Sequence, residues 1–153
     1  ESVKRVEQEL KNFDQNLKVV VLKTSARTAI DAAKSLNCEV GAIVKSLLFR
    51  ADNSYVLCLV SGDKKCSLNK LKKITSKKDV RMANPDEVKN QTGYIIGGVS
   101  PVGHINPIKI FIDNSLKRFD RIYAAAGHPN CIFEITFEQL NKITNGEIVE
   151  LTE

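Results

Sequence analysis

The sequence predicts an α+β fold: a curved, mixed β-sheet or partial barrel flanked by helices, in a single domain over residues 1–153. Three observations lead there. Segments of helical and strand periodicity interleave without regular βα alternation. Capping and turn signals punctuate them, with no linker, internal repeat or low-complexity tract between. The chain of 153 residues, 42% hydrophobic and 27% charged, suits one sizeable core.

The elements follow in order. Val3, Val6, Leu10, Phe13 and Leu17 recur at spacings of three and four, which predicts an amphipathic helix over residues 2–16. Lys18 to Lys23 is β-branched and reads as a short strand. Thr24 or Ser25 can cap a second helix, with Ala29, Ala32, Ala33 and Leu36 inward and Asn37 at its end. The apolar run from Val40 to Phe49 pairs with Tyr55–Ser61 across Asp52-Asn53 as a hairpin. Ser67 or Asn69 caps a short helix carrying Leu68, Leu71 and Ile74. Val80–Ala83 is a brief strand, followed by Asn84-Pro85-Asp86-Glu87 as N-cap, N1 proline and N3 acid, and Gly93 ends that helix. Tyr94-Ile95-Ile96 reads as a strand leading into a glycine-rich loop. Lys109–Asp113 is a strand, Leu116 and Phe119 mark a helical turn, and Arg121–Ala126 pairs with Cys131–Ile135 around Gly127-His128-Pro129-Asn130. Thr136 and Gln139 form a capping box for a helix through Leu140 and Ile143, and Ile148–Leu151 is a last strand.

Composition narrows the function classes. No apolar run approaches the roughly 18 residues of a membrane span, and the N-terminus has no signal core. Cys38, Cys58, Cys66 and Cys131 form no CxxC pair and only two histidines accompany them, so neither a metal nor another cofactor is expected. The cysteines read as reduced thiols of a cytoplasmic protein. The net charge of +5 is concentrated in Lys64, Lys65, Lys70, Lys72, Lys73, Lys77 and Lys78. That run is either a solvated face or a contact for a polyanion such as RNA. Aromatic residues make up 6% and do not interleave with the lysines, which excludes a base-stacking platform.

Two features can carry chemistry. Gly97-Gly98-Val99-Ser100-Pro101-Val102-Gly103 places three glycines in seven positions, and Pro101 stiffens the segment. Such a loop is a tight corner or a cradle of backbone donors for a phosphate, carboxylate or ester carbonyl. Lys45 interrupts an apolar strand, so its ammonium must snorkel, pair, or point into a cavity.

Four segments in order carry a resemblance: Ile43-Val44-Lys45-Ser46-Leu47-Leu48-Phe49, Ser61-Gly62-Asp63-Lys64-Lys65, the glycine loop from Gly97 to Gly103, and Ala125-Ala126-Gly127-His128-Pro129. Together they resemble the YbaK family, which includes the editing insertion domain of bacterial prolyl-tRNA synthetases. The resemblance runs from about Thr24 to Leu151. It implies an aminoacyl-tRNA deacylase that clears mischarged tRNA, most often tRNA(Pro) carrying Ala or Cys. The family lysine matches Lys45. The family's GxxxP loop matches Gly97 to Pro101, with Gly98 and Ser100 between. The small-residue turn that closes the pocket matches Ala126-Gly127-His128-Pro129. Some members carry an acidic or polar residue shortly after that turn; here the positions read Asn130-Cys131-Ile132, with no acid before Glu134, and no specificity role is carried over.

The resemblance suits the chemistry. An aminoacyl ester is already activated, so its hydrolysis asks for positioning, donors for the developing oxyanion, and a nucleophile. Backbone amides of Gly97–Ser100 can supply the donors. Lys45 can attract the terminal phosphate or hydrogen-bond the ribose, or, if desolvated, act as a base; the electrostatic role is preferred, because a neighbouring phosphate keeps the ammonium charged. The nucleophile is a held water or, for a cysteinyl substrate, its own thiol. Ile43, Val99, Ala126 and Cys131 either line a small pocket or are plain core. His128 either reads the substrate or is an exposed turn residue. Lys64, Lys65, Lys70, Lys72 and Lys73 would meet the acceptor stem of the tRNA, with prolyl-tRNA synthetase as a possible partner. Two other readings stay open: a non-catalytic tRNA- or partner-binding module, and hydrolysis of a small acyl ester or nucleotide.

Overall fold

Two separate sheets form the framework of the computed structural model, which describes residues 1–153. In chain order the elements are α1 (Ser2–Phe13), β1 (Val19–Val21), α2 (Ala29–Leu36), a 3-10 turn at Val40–Ala42, β2 (Val44–Ala51), β3 (Ser54–Ser61), α3 (Leu68–Thr75), β4 (Val80–Met82), α4 (Pro85–Thr92), β5 (Lys109–Asp113), a 3-10 segment at Asn114–Arg118, β6 (Ile122–Ala125), β7 (Cys131–Ile135), α5 (Phe137–Thr144) and β8 (Glu147–Val149). The larger sheet has the order β4-β2-β3-β5-β8 and the smaller β1-β7-β6. Pairing is antiparallel except for β3–β5 and β5–β8, which makes the larger sheet mixed. A parallel bridge between Ile43 and Tyr123 joins the two sheets without closing a barrel. The architecture is α+β, as the sequence predicts.

Strand alternation sorts the apolar residues onto two faces. Leu48, Leu57, Leu59, Ile110 and Ile112 join α1, α4, α5, β6 and β7 in a core of 23 residues. Phe49, Ala51, Val56, Cys58, Val60 and Phe111 face the other way, under Leu71 of α3. Full burial of each large aliphatic side chain contributes about 1.5–3 kcal/mol.

Local signals fix most element ends. Asn84 with Glu87, and Thr136 with Gln139, form reciprocal capping boxes. Asn37, Ser76 and Asn145 close their helices in the left-handed conformation. Buried Asp113 ties down the C-terminus: one carboxylate oxygen accepts from Leu151 N (2.6 Å), the other from Ser115 N (3.1 Å), the Ser115 hydroxyl and Thr152 Oγ1 (3.1 Å).

Three expectations need correction. The first helix ends at Phe13, short of residue 16, where Asp14 turns extended. The cap of α2 is Thr28 rather than Thr24 or Ser25, whose helix start is pre-empted by a long-range bond from Ala26 N to the Pro129 carbonyl (2.8 Å). Tyr94-Ile95-Ile96 is not a strand. Gly98 N donates to the Ile95 carbonyl (3.0 Å), and Gly97 at φ +95° completes a tight turn that a residue with a Cβ adopts only under strain. Tyr94 is buried, while Ile95 and Ile96 are exposed.

Candidate active site

The two sheets leave a gap beside β2. Alternation along the hairpin turns the main-chain groups of odd-numbered residues towards β3, as the Gly62 N bond to the Ile43 carbonyl (2.8 Å) shows. Even-numbered residues address the opposite edge. Leu48 is met there by Ala83 N at 2.9 Å, and β6 approaches at the Ile43–Tyr123 bridge. Between them Ser46 has no strand beside its main chain, and its hydroxyl is buried without a partner.

An apolar cavity of about 380 Å³ occupies this gap, and 16 of its 21 lining residues are hydrophobic. Its volume lies at the small end of ligand pockets. Ile43, Val44, Lys45, Ser46, Leu47 and Leu48 form one wall. Ala26 to Ala29 and Ala32, leading into and along α2, form a second. Met82, Ala83, Val88, Ile96, Gly97 and Val99 come from the β4–α4 region and the glycine loop, and Tyr123, Ala124, Ala125 and Ile132 from the smaller sheet. A wider cleft of about 670 Å³ beside α5, lined by Lys117, Asp120, Glu138 and Lys142 among others, contains none of the expected site residues.

Lys45 is half-buried, and its Nζ donates to the Lys64 carbonyl at 2.5 Å. Burial pushes its pKa below the ordinary lysine value, while Cys66 and Asp63 nearby pull the other way. An ammonium has three donors, so this bond leaves two for a ligand. Asp63 is itself engaged by Arg118 at 2.7 and 3.1 Å, and that guanidinium holds its carboxyl below the usual range.

The glycine loop leaves some of its donors unpaired. The Gly98 amide is spent on the turn and the Val102 amide on Ser100 Oγ (3.2 Å). The amides of Val99 and Ser100, both buried residues, have no acceptor within the protein. An unpaired amide at a buried residue is rare, and Val99 is one that lines the cavity. A Cβ on Gly98 would lie 2.8 Å from His128 N, so the loop stacks directly on the Gly127–His128 turn.

Of the residues expected at the site, Ile43, Lys45, Gly97 and Val99 line the cavity. Gly98, Ser100, Pro101 and Gly103 support the loop from behind, outside the lining. Ala126, Gly127 and Pro129 are buried beneath it, and Cys131 is core. His128 is exposed, with its Nδ1 accepting from Asn130 N at 3.1 Å. Among the lysines, Lys65 and Lys73 are exposed, and Lys64 and Lys72 half-buried. Lys70 is already paired with Glu150 (2.9 Å) and the Thr152 carbonyl (2.6 Å). Sequence reasoning missed the α2 wall. Its signal was the small residues Ala26, Ala29 and Ala32 at a spacing of three, which border a void as readily as a neighbour. Arg27, which covers Gly97, gave no signal.

The sequence model described as "Aminoacyl-tRNA editing domain" matches residues 23–143. The Bacillus subtilis (strain 168) protein YwhH, itself uncharacterized, is 33% identical over 148 residues, which are 96% of this chain and 94% of that one. EbsC of Enterococcus faecalis, named as a candidate Cys-tRNA(Pro)/Cys-tRNA(Cys) deacylase, is 29% identical over 126 residues, 82% of this chain and 77% of that one. A crystal structure of a candidate trans-editing enzyme for prolyl-tRNA synthetase superimposes with a TM-score of 0.93 at 38% identity, covering 99% of this chain and 97% of that one. No helix is long and apolar enough to cross a membrane. The chain belongs to the aminoacyl-tRNA editing domain family, the YbaK-like deacylases whose ordered segments its sequence carries.

Proposed function

We propose that the protein hydrolyses the ester of tRNA(Pro) mischarged with alanine or cysteine, working beside prolyl-tRNA synthetase or as an editing domain appended to it. The observation that carries this reading is the unengaged amide of Val99, a residue that lines one small apolar cavity together with Lys45. The aminoacyl side chain enters the cavity with its ester carbonyl at the glycine loop. Loop amides donate hydrogen bonds to the carbonyl oxygen as it gains charge, where removing one such donor costs about 2.7–4 kcal/mol. The two remaining Lys45 donors hold the ribose or the terminal phosphate. Water, or the thiol of a cysteinyl substrate, attacks the carbonyl carbon, and the ribose oxygen leaves with a proton. Lys64, Lys65, Lys72 and Lys73 attract the acceptor stem.

The reading has a physical rationale. A site built for proline cannot strongly reject a smaller side chain, since a missing methylene is worth about 1–3 kcal/mol. A second, smaller sieve removes what passes. The test is release of amino acid from Ala-, Cys- and Pro-tRNA(Pro) by the protein and by Lys45→Ala. Release from the first two, spared Pro-tRNA(Pro) and loss in the variant are expected. Bound tRNA with no release would make the chain a binding module.

A further inference from the structure

We propose that α1 is a working part of this site and that Arg5 is a positioning residue for the loop donors. The helix lies outside the matched residues 23–143, yet its first turn touches both site loops. Arg5 Nε donates to the Gly103 carbonyl (3.1 Å) and Nη2 to the Gly93 carbonyl (3.4 Å), and the guanidinium lies 5.0 Å from the centroid of the Tyr94 ring. The Tyr94 hydroxyl, in turn, reaches the carbonyls of Val102 (2.6 Å) and Gly103 (2.9 Å). His104 packs edge-on against Tyr94, and its Nε2 lies 2.7 Å from the Ser100 carbonyl. The contacts leave no slack: a Cβ on Gly103 would meet the Tyr94 hydroxyl at 2.6 Å, and one on Gly127 would meet the Ser2 carbonyl at 2.9 Å.

The division of labour within the loop is the telling feature. The carbonyls of Ser100, Val102 and Gly103 are tied back by side chains, whereas the amides of Val99 and Ser100 are left unpaired. Each tied carbonyl fixes the peptide plane it shares with the next nitrogen, so the planes from Ser100 to Pro101 and from Val102 to His104 are held; the free amides lie in the two planes just upstream and are steadied before substrate arrives through the Ser100 Cα, where the held segment begins. A preorganised donor avoids reorganisation in the transition state. Arg5 never meets the substrate; it acts through Tyr94 and Gly103.

This inference rests on the deacylase reading, and its test separates the two. Single-turnover deacylation of Ala- and Cys-tRNA(Pro) is measured for the unaltered protein, Arg5→Ala, Tyr94→Phe and the exposed-face control Gln8→Ala, with amide hydrogen exchange across residues 93–104. Arg5→Ala and Tyr94→Phe should lower the chemical rate by about tenfold to a hundredfold, with the half-saturating tRNA concentration held within about twofold. Their loop amides should exchange faster, Gln8→Ala should change neither readout, and added guanidinium should restore part of the Arg5→Ala rate. Tyr94→Phe keeps the ring and removes only the hydroxyl, so it reports even if Arg5→Ala fails to fold. Unchanged rates in both variants of an active protein would overturn the brace. An unaltered protein inactive on both substrates would overturn the deacylase reading instead, and unchanged loop exchange would then overturn the brace on its own.

Discussion

Lys45 Nζ donates to the carbonyl of Lys64 at 2.5 Å, which ties the lysine of β2 to the start of the basic segment that follows β3. The bond orients an amine that burial has made easier to deprotonate. Its charge is therefore lost at a lower pH than that of a free lysine, whose reference value is 10.5.

The pH profile follows. The part of the rate that Lys45→Ala abolishes should fall as pH rises through the lowered pKa, below 10.5. The stability sign is opposite: between the two values the unfolded chain binds more protons, so folding is favoured as pH rises. Rates corrected for alkaline ester hydrolysis check the first statement, and denaturant midpoints of the protein and Lys45→Met the second. A Lys45-dependent rate that persists to pH 10.5 would show that the charge is not used.

Gly98→Ala should destabilise the protein by about 1–3 kcal/mol through overpacking. The added methyl would lie 2.8 Å from His128 N and 2.9 Å from its Cα, backbone atoms that cannot swing aside. Thermal and urea midpoints measure the loss. Deacylation should fall more steeply than stability, because the displaced loop carries the donors.

The lysines should separate into two groups in tRNA binding. Replacing Lys65 or Lys73 by alanine should reduce the slope of log affinity against log salt by about one unit or less per phosphate contact. Lys70→Ala should have a smaller effect, because Lys70 is held by Glu150 and the Thr152 carbonyl. Binding isotherms at several salt concentrations decide between this pattern and a uniform one.

How much of this was legible in the sequence depends on range. Capping boxes are read from four neighbouring residues, so Asn84–Glu87 and Thr136–Gln139 are where the sequence puts them. Tyr94–Ile96 misled because three apolar residues carry no period, and the turn set by Gly97 leaves them no strand to pair with. Lys45, Ile43, Gly97 and Val99, singled out from the ordered segments, line one cavity. That Ala26 to Ala29 and Ala32 would complete its wall, while Ala126, Gly127 and Pro129 would lie beneath, depends on which sheet edges meet. No local pattern encodes that.

Asp113→Ala should cost about 3 kcal/mol or more, since four donors lose a buried acceptor. Hydrogen exchange should find the segment after β8 opening first, as Leu151 and Thr152 lose their anchor. Global unfolding without such a local step would show that the clamp is part of the main cooperative unit.

The interrupted seam along β2 has one more implication. Were Ser46 zipped to a neighbouring strand, no guest could enter, so the void is an unfinished join rather than a hole cut into a finished core. Its dimensions can then drift with the spacing of β4 and β6 while the packing behind β3 and β5 stays intact. A lineage could resize its sieve there without remaking the scaffold.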